Sequence, residues 1–335
     1  MNDAIDDVAA LEACIGKTPG PIHLKVIDHL DEGALRWIAA SRFLFAGFGD
    51  ADGIGITLGG GEPGLVHAAG PTRLTLPAAA LDEPRLAAAG RGFGALFLVP
   101  GIGETLRVNG RVTTVSDAAI EIAVEECYVH CAKALIRSDF WRASPVAGIP
   151  NDAAGFLAAS RFVALATIDG QGRADVSPKG DPQGMLIRLH DGSACYADRP
   201  GNRRADSFRN ILVQPHVAIA SLLPGAAHVA ILSGTARVSS DKPMRQSFAV
   251  GGNIPLLVTR IEQPRLEIRE SAALSRARLW PAAPPADGIN PAAMLAAHVR
   301  LNRTRGLQAT LVRAAVSVPG LMEKGLQRDY KNNLY

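Results

Sequence analysis

The chain predicts a mainly β protein with helices, an α+β fold in which two tandem copies of one small barrel are followed by a helical tail. Three observations predict it. The first is an internal repeat, sought before any other pattern. "SRFLFAGFGDADG" from Ser41 lies over "SRFVALATIDGQG" from Ser160 at a shift of 119, and "VPGIGETLRVNGRVTTVSD" from Val99 lies over "LPGAAHVAILSGTARVSSD" from Leu223 at a shift of 124 without a gap. "ALIRSDFW", ending at Trp141, likewise matches "ALSRARLW", ending at Trp280. The second observation is a run of short apolar segments broken by Asp-Gly turns such as "IDGQG" and "HDGS", which are hairpin signals. The third is composition. With 335 residues, 47% of them hydrophobic, and with 34 Gly and 22 Pro, the chain has material for two turn-rich globular domains.

Each copy has the same expected layout. A helical segment opens it, "VIDHLDEGALRWIAAS" in the first half and "NDAAGFLAAS" in the second, where Asn151 is the expected N-cap. An apolar strand follows directly, then short strands joined by turns. In the second half a short helix, "NRRADSFRNIL", comes before the paired strands "HVAIASLL" and "HVAILSGTARVSS". Many short strands with one or two helices suit a closed or partly closed barrel. The breaker "RASPVAGIP" (142–150) separates the halves, and "PAAPPADG" leads into the tail. The expected domains are therefore 1–145, 150–284 and a tail, 285–335, with helical spacing that packs on the barrels and carries no chemistry of its own.

Charge excludes some functions. Thirty-five basic against thirty-two acidic residues give a formal charge of +3, too near balance for nucleic acid to be a general partner. The first residues, "MNDAIDDVAALEACIG", have no basic run before an apolar one, and Gln214, Pro215, His216, Pro224 and His228 interrupt the longest apolar stretch. The expectation is a cytoplasmic protein without a membrane span. The "CYVHC" stretch puts Cys127, Val129 and Cys131 on one face of a strand with no second ligand pair, so no metal is expected. "GIGETLRVNG" precedes a strand, which argues against a dinucleotide fingerprint. No nucleophile, general acid or general base stands out.

What does stand out is an anion-binding pattern. Lys179, in "SPKGDPQG", and Arg203 and Arg204, in "DRPGNRRADSFRNIL", lie among glycines and prolines. Taken singly they are ordinary surface charges. As a set, with Gly201 and Asn202 expected where a helix begins, they offer what phosphate needs: converging N–H groups and fixed positive charge.

These segments resemble the pyridoxamine 5′-phosphate oxidase-like FMN-binding split-barrel family. The resemblance is carried by "SRFVALATIDGQGRADVSPKGDP" and "YADRPGNRRADSFRNIL", with "FLVPGIGETLRVNGR" and "CAKALIRSDFW" in the first half, and covers most of residues 22 to 280. It implies split barrels, FMN as cofactor, a small-molecule substrate and NAD(P)H as a donor to consider. It also implies a phosphate neutralised by Lys179, Arg203 and Arg204, hydrogen bonds from Ser177 and Asn202, and Gly180, Asp198 and Arg199 as further cofactor-binding residues. Glu104, Thr105 and Arg107 would come from the other barrel toward the ring or ribityl chain, and Lys133 and Arg137 would close the site or meet an anionic substrate. Members are homodimers with flavin in the interface, whereas here both barrels lie in one chain.

The repeat shows a complementary loss. At a shift of 119, Lys179 falls on Gly60 and Ser177 on Leu58, while the Asp198–Arg204 loop falls on alanines and Leu81. Conversely Glu104, Thr105 and Arg107 fall, at 124, on His228, Val229 and Ile231. The expectation is a fused pseudo-dimer, alone or as a homodimer, with one working flavin site. Rival readings are F420 or haem in the same fold, or a non-enzymatic flavin-binding or regulatory protein.

Overall fold

A strand presents alternate residues to opposite faces, so a run apolar at both parities must be covered on both sides. "FLFAGFGD" and "FVALATI" are such runs, and the computed structural model, which describes residues 3–146, 148–201, 204–318 and 320–335, buries both. One parity of the first, Leu44, Ala46 and Phe48, faces a core of its own half, and the other, Phe43 and Phe45, faces a core shared with the second half. In the second run Val163 and Leu165 face inward, while Phe162, Ala164 and Ala166 enter the shared core. These runs thus supply three of the cores among the described residues, one inside each half and one between them.

In chain order the strands are β1 (Ala4–Ile5), β2 (Phe43–Asp50), β3 (Gly53–Gly60), β4 (His67–Ala68), β5 (Arg73–Pro77), β6 (Gly92–Leu98), β7 (Thr105–Val115) and β8 (Ala119–His130). The second half supplies β9 (Phe162–Ile168), β10 (Ala174–Gly180), β11 (Ile187–His190), β12 (Ser193–Ala197), β13 (His216–Leu222), β14 (His228–Ser239) and β15 (Val258–Glu270). The helices are α1 (Val8–Ile15), α2 (Glu32–Ala40), α3 (Lys133–Arg137), α4 (Ala153–Ala159), α5 (Asp206–Val213), α6 (Lys242–Ser247), α7 (Ala272–Ala277), α8 (Pro291–Leu301), α9 (Leu307–Val316) and α10 (Leu321–Asn332). The first sheet has the order β3-β2-β6-β7-β8-β5-β4 and the second β10-β9-β13-β14-β15-β12-β11, with β1 pairing off β14. The two orders are the same permutation of equivalent strands.

Contacts between the halves are reciprocal. β6 rests on β10 and β13 on β3. At the end of β3, Gly60 lies under α7, and a Cβ there would overlap the Ala273 carbonyl; at the end of β10, Gly180 lies under α3, where a Cβ would overlap the Ala134 carbonyl. Ala134 and Ala273 are separated by the same shift as Trp141 and Trp280, so one surface contacts its own copy, as in a two-fold dimer. Phe140 seals this seam, with Phe162 at 5.0 Å and Trp280 at 5.1 Å between ring centroids.

Several expectations shift. Asp152, not Asn151, caps α4, accepting from the Gly155 amide at 2.8 Å. Strand pairing sets Lys179 against Val163 and Gly59 against Leu44, so the structural twin of Lys179 is Gly59, and that of Ser177 is Thr57. The one-residue slip comes from the unequal turns after β2 and β9. Helix α5 starts at Asp206, beyond Gly201, so that glycine lies in the loop before the helix. Among the described residues no helix is long and apolar enough to cross a membrane.

The glycine contacts generate a prediction. Gly60→Ala and Gly180→Ala should each lower stability by about 1–3 kcal/mol or more, because the obstruction is backbone. Gly325→Ala, on α10 with nothing within 4 Å of an added Cβ, should be neutral or stabilising by up to about 1 kcal/mol. Urea unfolding of the three variants checks the contrast.

Candidate functional site

Leu106 and Val108 of β7 point into the first barrel core, which turns Arg107 to the opposite face, toward the second half. There its Nη1 lies 2.5 Å from Asp175 Oδ1 and its Nη2 donates to Ser177 Oγ at 2.9 Å, both groups being carried by β10. Tyr128 of β8, paired beside Arg107, accepts from Nη1 at 2.5 Å, and Ser207 of α5 donates to Ser177 at 2.8 Å. Arg107 is only 1% exposed. Burial lifts the Asp175 carboxyl above its ordinary range, against the pull of Arg107. A buried ion pair of this kind is tolerated only with its hydrogen bonds in place.

Above this floor opens a cavity of about 700 Å³ between the halves, within the usual range for small-molecule sites. The second half provides Ser177, Lys179, Gly180, Asp198, Arg199 and Arg204, and the first half Arg107, Lys133 and Arg137. The Lys179 ammonium stands 5.3 Å from the Tyr196 ring centre and 5.6 Å from that of Phe208, and among the described residues it makes no hydrogen bond or ion pair. Burial lowers its pKa, with Asp198 opposing. Arg199 donates through Nε to Asp181 Oδ2 at 2.7 Å, while its buried Nη2 has no partner among the described residues. Arg204 pairs with Asp206 at 2.6 Å and lies 4.6 Å over the Tyr128 ring. Asn202 and Arg203 lie outside the described residues.

The opposite wall is α3. Lys133 pairs with Asp329 at 2.9 Å, and Arg137 donates to the carbonyls of Leu334 and Pro200 at 2.6 and 2.5 Å. The tail therefore enters the site, contrary to the expectation that it only packs on the barrels: Asp329, Asn333 and Tyr335 line the cavity. Glu104 and Thr105 do not line it. Glu104 accepts from the Tyr330 hydroxyl of α10 at 2.9 Å, and Thr105 is fully buried.

Sequence reasoning missed Asp175, Asp181, Asp206, Ser207, Phe208, His130 and Cys131. For Asp175 a signal existed, since it alternates with Ser177 and Lys179 on one strand face. Burial together with Arg107 and Lys25 pushes His130 well below its ordinary pKa, so it is neutral at physiological pH.

The twin surface is differently furnished. The loop facing α7 is acidic, a correction to its reading as alanines and Leu81. Asp82 accepts from Ser271 Oγ at 2.5 Å and from the Ala273 amide at 2.8 Å, and Glu83 pairs with Arg269 at 3.1 Å. Arg276, the twin of Arg137, donates to the carbonyls of Gly60 and Ala80 at 3.0 and 2.8 Å.

Two predictions follow from the floor. Arg107→Met should cost about 3–5 kcal/mol because Asp175 is left buried without its cation, and the Arg107→Met/Asp175→Leu double variant should recover most of that loss in urea unfolding. Additive losses would contradict the pairing. Beside it, Lys25 is buried over Tyr128, and burial lowers its pKa from the ordinary 10.5 to about 8. The unfolded chain then binds the extra proton between these values, so this group adds stability as pH rises from about 8 to 10.5, on the order of 3 kcal/mol. In thermal melts across that range, Lys25→Met should lack the rise.

A family model described as Pyridoxamine 5′-phosphate oxidase matches residues 149–270. No curated protein matches. Among solved structures, HupZ from Group A Streptococcus is 19% identical with a TM-score of 0.28, covering 34% of this chain and 88% of its own. General Stress Protein 26 from Bacillus anthracis is 15% identical with a TM-score of 0.25, covering 33% and 90%. A structure titled F420 Reductase is 14% identical with a TM-score of 0.28, covering 37% and 100%. Residues 149–270, which carry the seven-stranded antiparallel path and the Lys179 wall, are thus the part of the chain that is similar to the Pyridoxamine 5′-phosphate oxidase family model.

Proposed function

We propose that the chain is an FMN-dependent oxidoreductase whose flavin lies in the cavity between two split barrels, residues 1–145 and 150–284, that act as a fused pseudo-dimer, with 285–335 as a tail. The observation that carries the reading is the convergence of Lys179 from one half and Lys133 and Arg137 from the other on one cavity. The shared strand order and the reciprocal Gly60 and Gly180 contacts support the pseudo-dimer.

The residues present fit a phosphorylated cofactor. A phosphate takes several charged donors at once. Among the described residues Lys179 offers an ammonium with no hydrogen bond or ion pair and Arg199 a buried Nη2 with no hydrogen-bond partner, and six Lys and Arg side chains line the cavity against four acidic ones. Lys179 and Arg199 hold the phosphate, and Tyr196 and Phe208 flank the lysine and keep water from it. Arg107, tied to Asp175 and Ser177, forms a fixed floor and gives the first half a rigid edge in the site. The neutral His130 can donate or accept a single hydrogen bond there. Bound in this cavity, the flavin supplies electron or hydride transfer between donor and substrate.

The twin surface, with Gly59 and an acidic loop, repels a phosphate, so one flavin per chain is expected. Denaturing the purified protein and comparing released flavin absorbance with protein concentration tests the reading. A ratio near one is expected, and Lys179→Ala should weaken binding about tenfold to a hundredfold. A ratio near two, an F420 or haem spectrum, or unchanged affinity in Lys179→Ala contradicts it. NAD(P)H reduction in stopped flow with no turnover on any acceptor would favour a binding protein over an enzyme.

A further inference from the structure

The wall that α3 gives the cavity is held by the protein's own tail. Lys133, 4% exposed at its side chain, has Asp329 as its ion partner. Arg137 donates to the Leu334 carbonyl, and the Tyr335 ring stands 5.5 Å from the Arg137 guanidinium and 5.6 Å from that of Arg199. An acid on the lysine and a flat ring beside two guanidiniums are the two features of one kind of molecule. Guanidinium planes favour aromatic faces as well as carboxylates, so a cleft with this trio selects a ligand that has both.

The element that brings these groups is loosely seated. α10 has no fully buried residue and reaches the apolar core under α8 and α9 through the half-buried Met322 at its start, while residues 333–335 follow it outside any helix. Besides the cavity contacts, its hold near Asp329 is the Tyr330 hydroxyl, which donates to Glu104 at 2.9 Å and accepts from the Ala132 amide at 3.3 Å. Such a segment opens at low cost compared with a packed helix. A ligand that reproduces its carboxylate and ring can take its place.

We propose that the cleft of Lys133 and Arg137, bordered by the guanidinium face of Arg199 at the edge of the phosphate wall, is the substrate subsite for a planar aromatic anion, and that Asp329 and Tyr335 occupy it as a displaceable internal stand-in. This inference rests on the cavity being a ligand site, as in the flavin reading beside whose phosphate wall it lies, but not on which cofactor is bound. It names the substrate class and makes the tail a competitor that a substrate must displace.

The test uses salicylate as the planar anion and salicyl alcohol as its neutral counterpart. Titration calorimetry should show salicylate binding about fivefold to tenfold tighter to Tyr335→Ala and to Asp329→Asn/Tyr335→Ala than to the wild type, because the competent fraction rises when the stand-in is removed. Tyr335→Phe, which keeps the ring, should behave as wild type, and Arg137→Gln added to the double variant should remove binding. In the wild type, saturating salicylate should speed tryptic cleavage after Lys324 and Arg328 of α10, and salicyl alcohol should not. Equal affinity in wild type and tail variants, equal binding of the neutral alcohol, or no binding by either protein overturns the proposal, as does unchanged or slower cleavage. Should the protein release no flavin while salicylate still frees the tail, the flavin reading alone fails. Should flavin be bound and salicylate indifferent to the tail, this inference alone fails.

Discussion

The pair formed by Arg107 and Asp175 crosses from one sheet to the other beneath the cavity, and much of the site depends on that crossing. A guanidinium this buried needs carboxylate partners, and both of those beside Arg107 among the described residues come from the second half, Asp175 of β10 at 2.5 Å and Asp206 of α5 at 3.7 Å. Ser177, Ser207 and Tyr128 add hydrogen bonds around it, so the floor of the cavity ties two elements of the second half, β10 and α5, and two of the first, β7 and β8, into one network. Rigid walls of this kind hold ligand groups in place without reorganisation. At the end of the same β10 strand, Gly180 lies under α3 of the first half.

Symmetry and its loss explain why a single chain offers unequal surfaces. Both halves use the same strand order and the same glycine-under-helix contact, yet the positions that bear charge differ. One seam keeps Lys179 with Arg107, Lys133 and Arg137. The other keeps Arg276 but sets it on carbonyls, and fills the facing loop with Asp82 and Glu83. A homodimer cannot diverge in this way, because every substitution appears at both sites. The proposed fused pair can, and at the second seam Asp82 accepts from the Ala273 amide beside the Ser271 N-cap of α7.

Much of this was legible in the sequence. The repeat shifts of 119 and 124 survive in the strand pairing, with Arg107 and Ile231 at equivalent registers, and runs apolar at both parities announced strands covered on both faces. What was not legible depended on detail beyond pattern. Turn lengths after β2 and β9 differ by one residue, which moved the twin of Lys179 from Gly60 to Gly59. Capping by Asp152 instead of Asn151 is a choice between two equally good residue types. The ion partners Asp175, Asp181 and Asp206 are ordinary acids in sequence and acquire their role only when strands from two halves meet. The tail's Asp329 and Tyr335 lie far along the chain from Lys133 and Arg199, and no local periodicity reports such a contact.

The central claim is that one ligand site is assembled from both halves, and a crystal structure of the protein grown with FMN tests it most directly. The account predicts flavin in the cavity between the barrels, its phosphate within hydrogen-bond distance of Lys179 Nζ and a contact from Arg107, Lys133 or Arg137 of the first half. Flavin held by residues of one half alone, or seated at the twin seam beside Gly59 and Asp82, would contradict it.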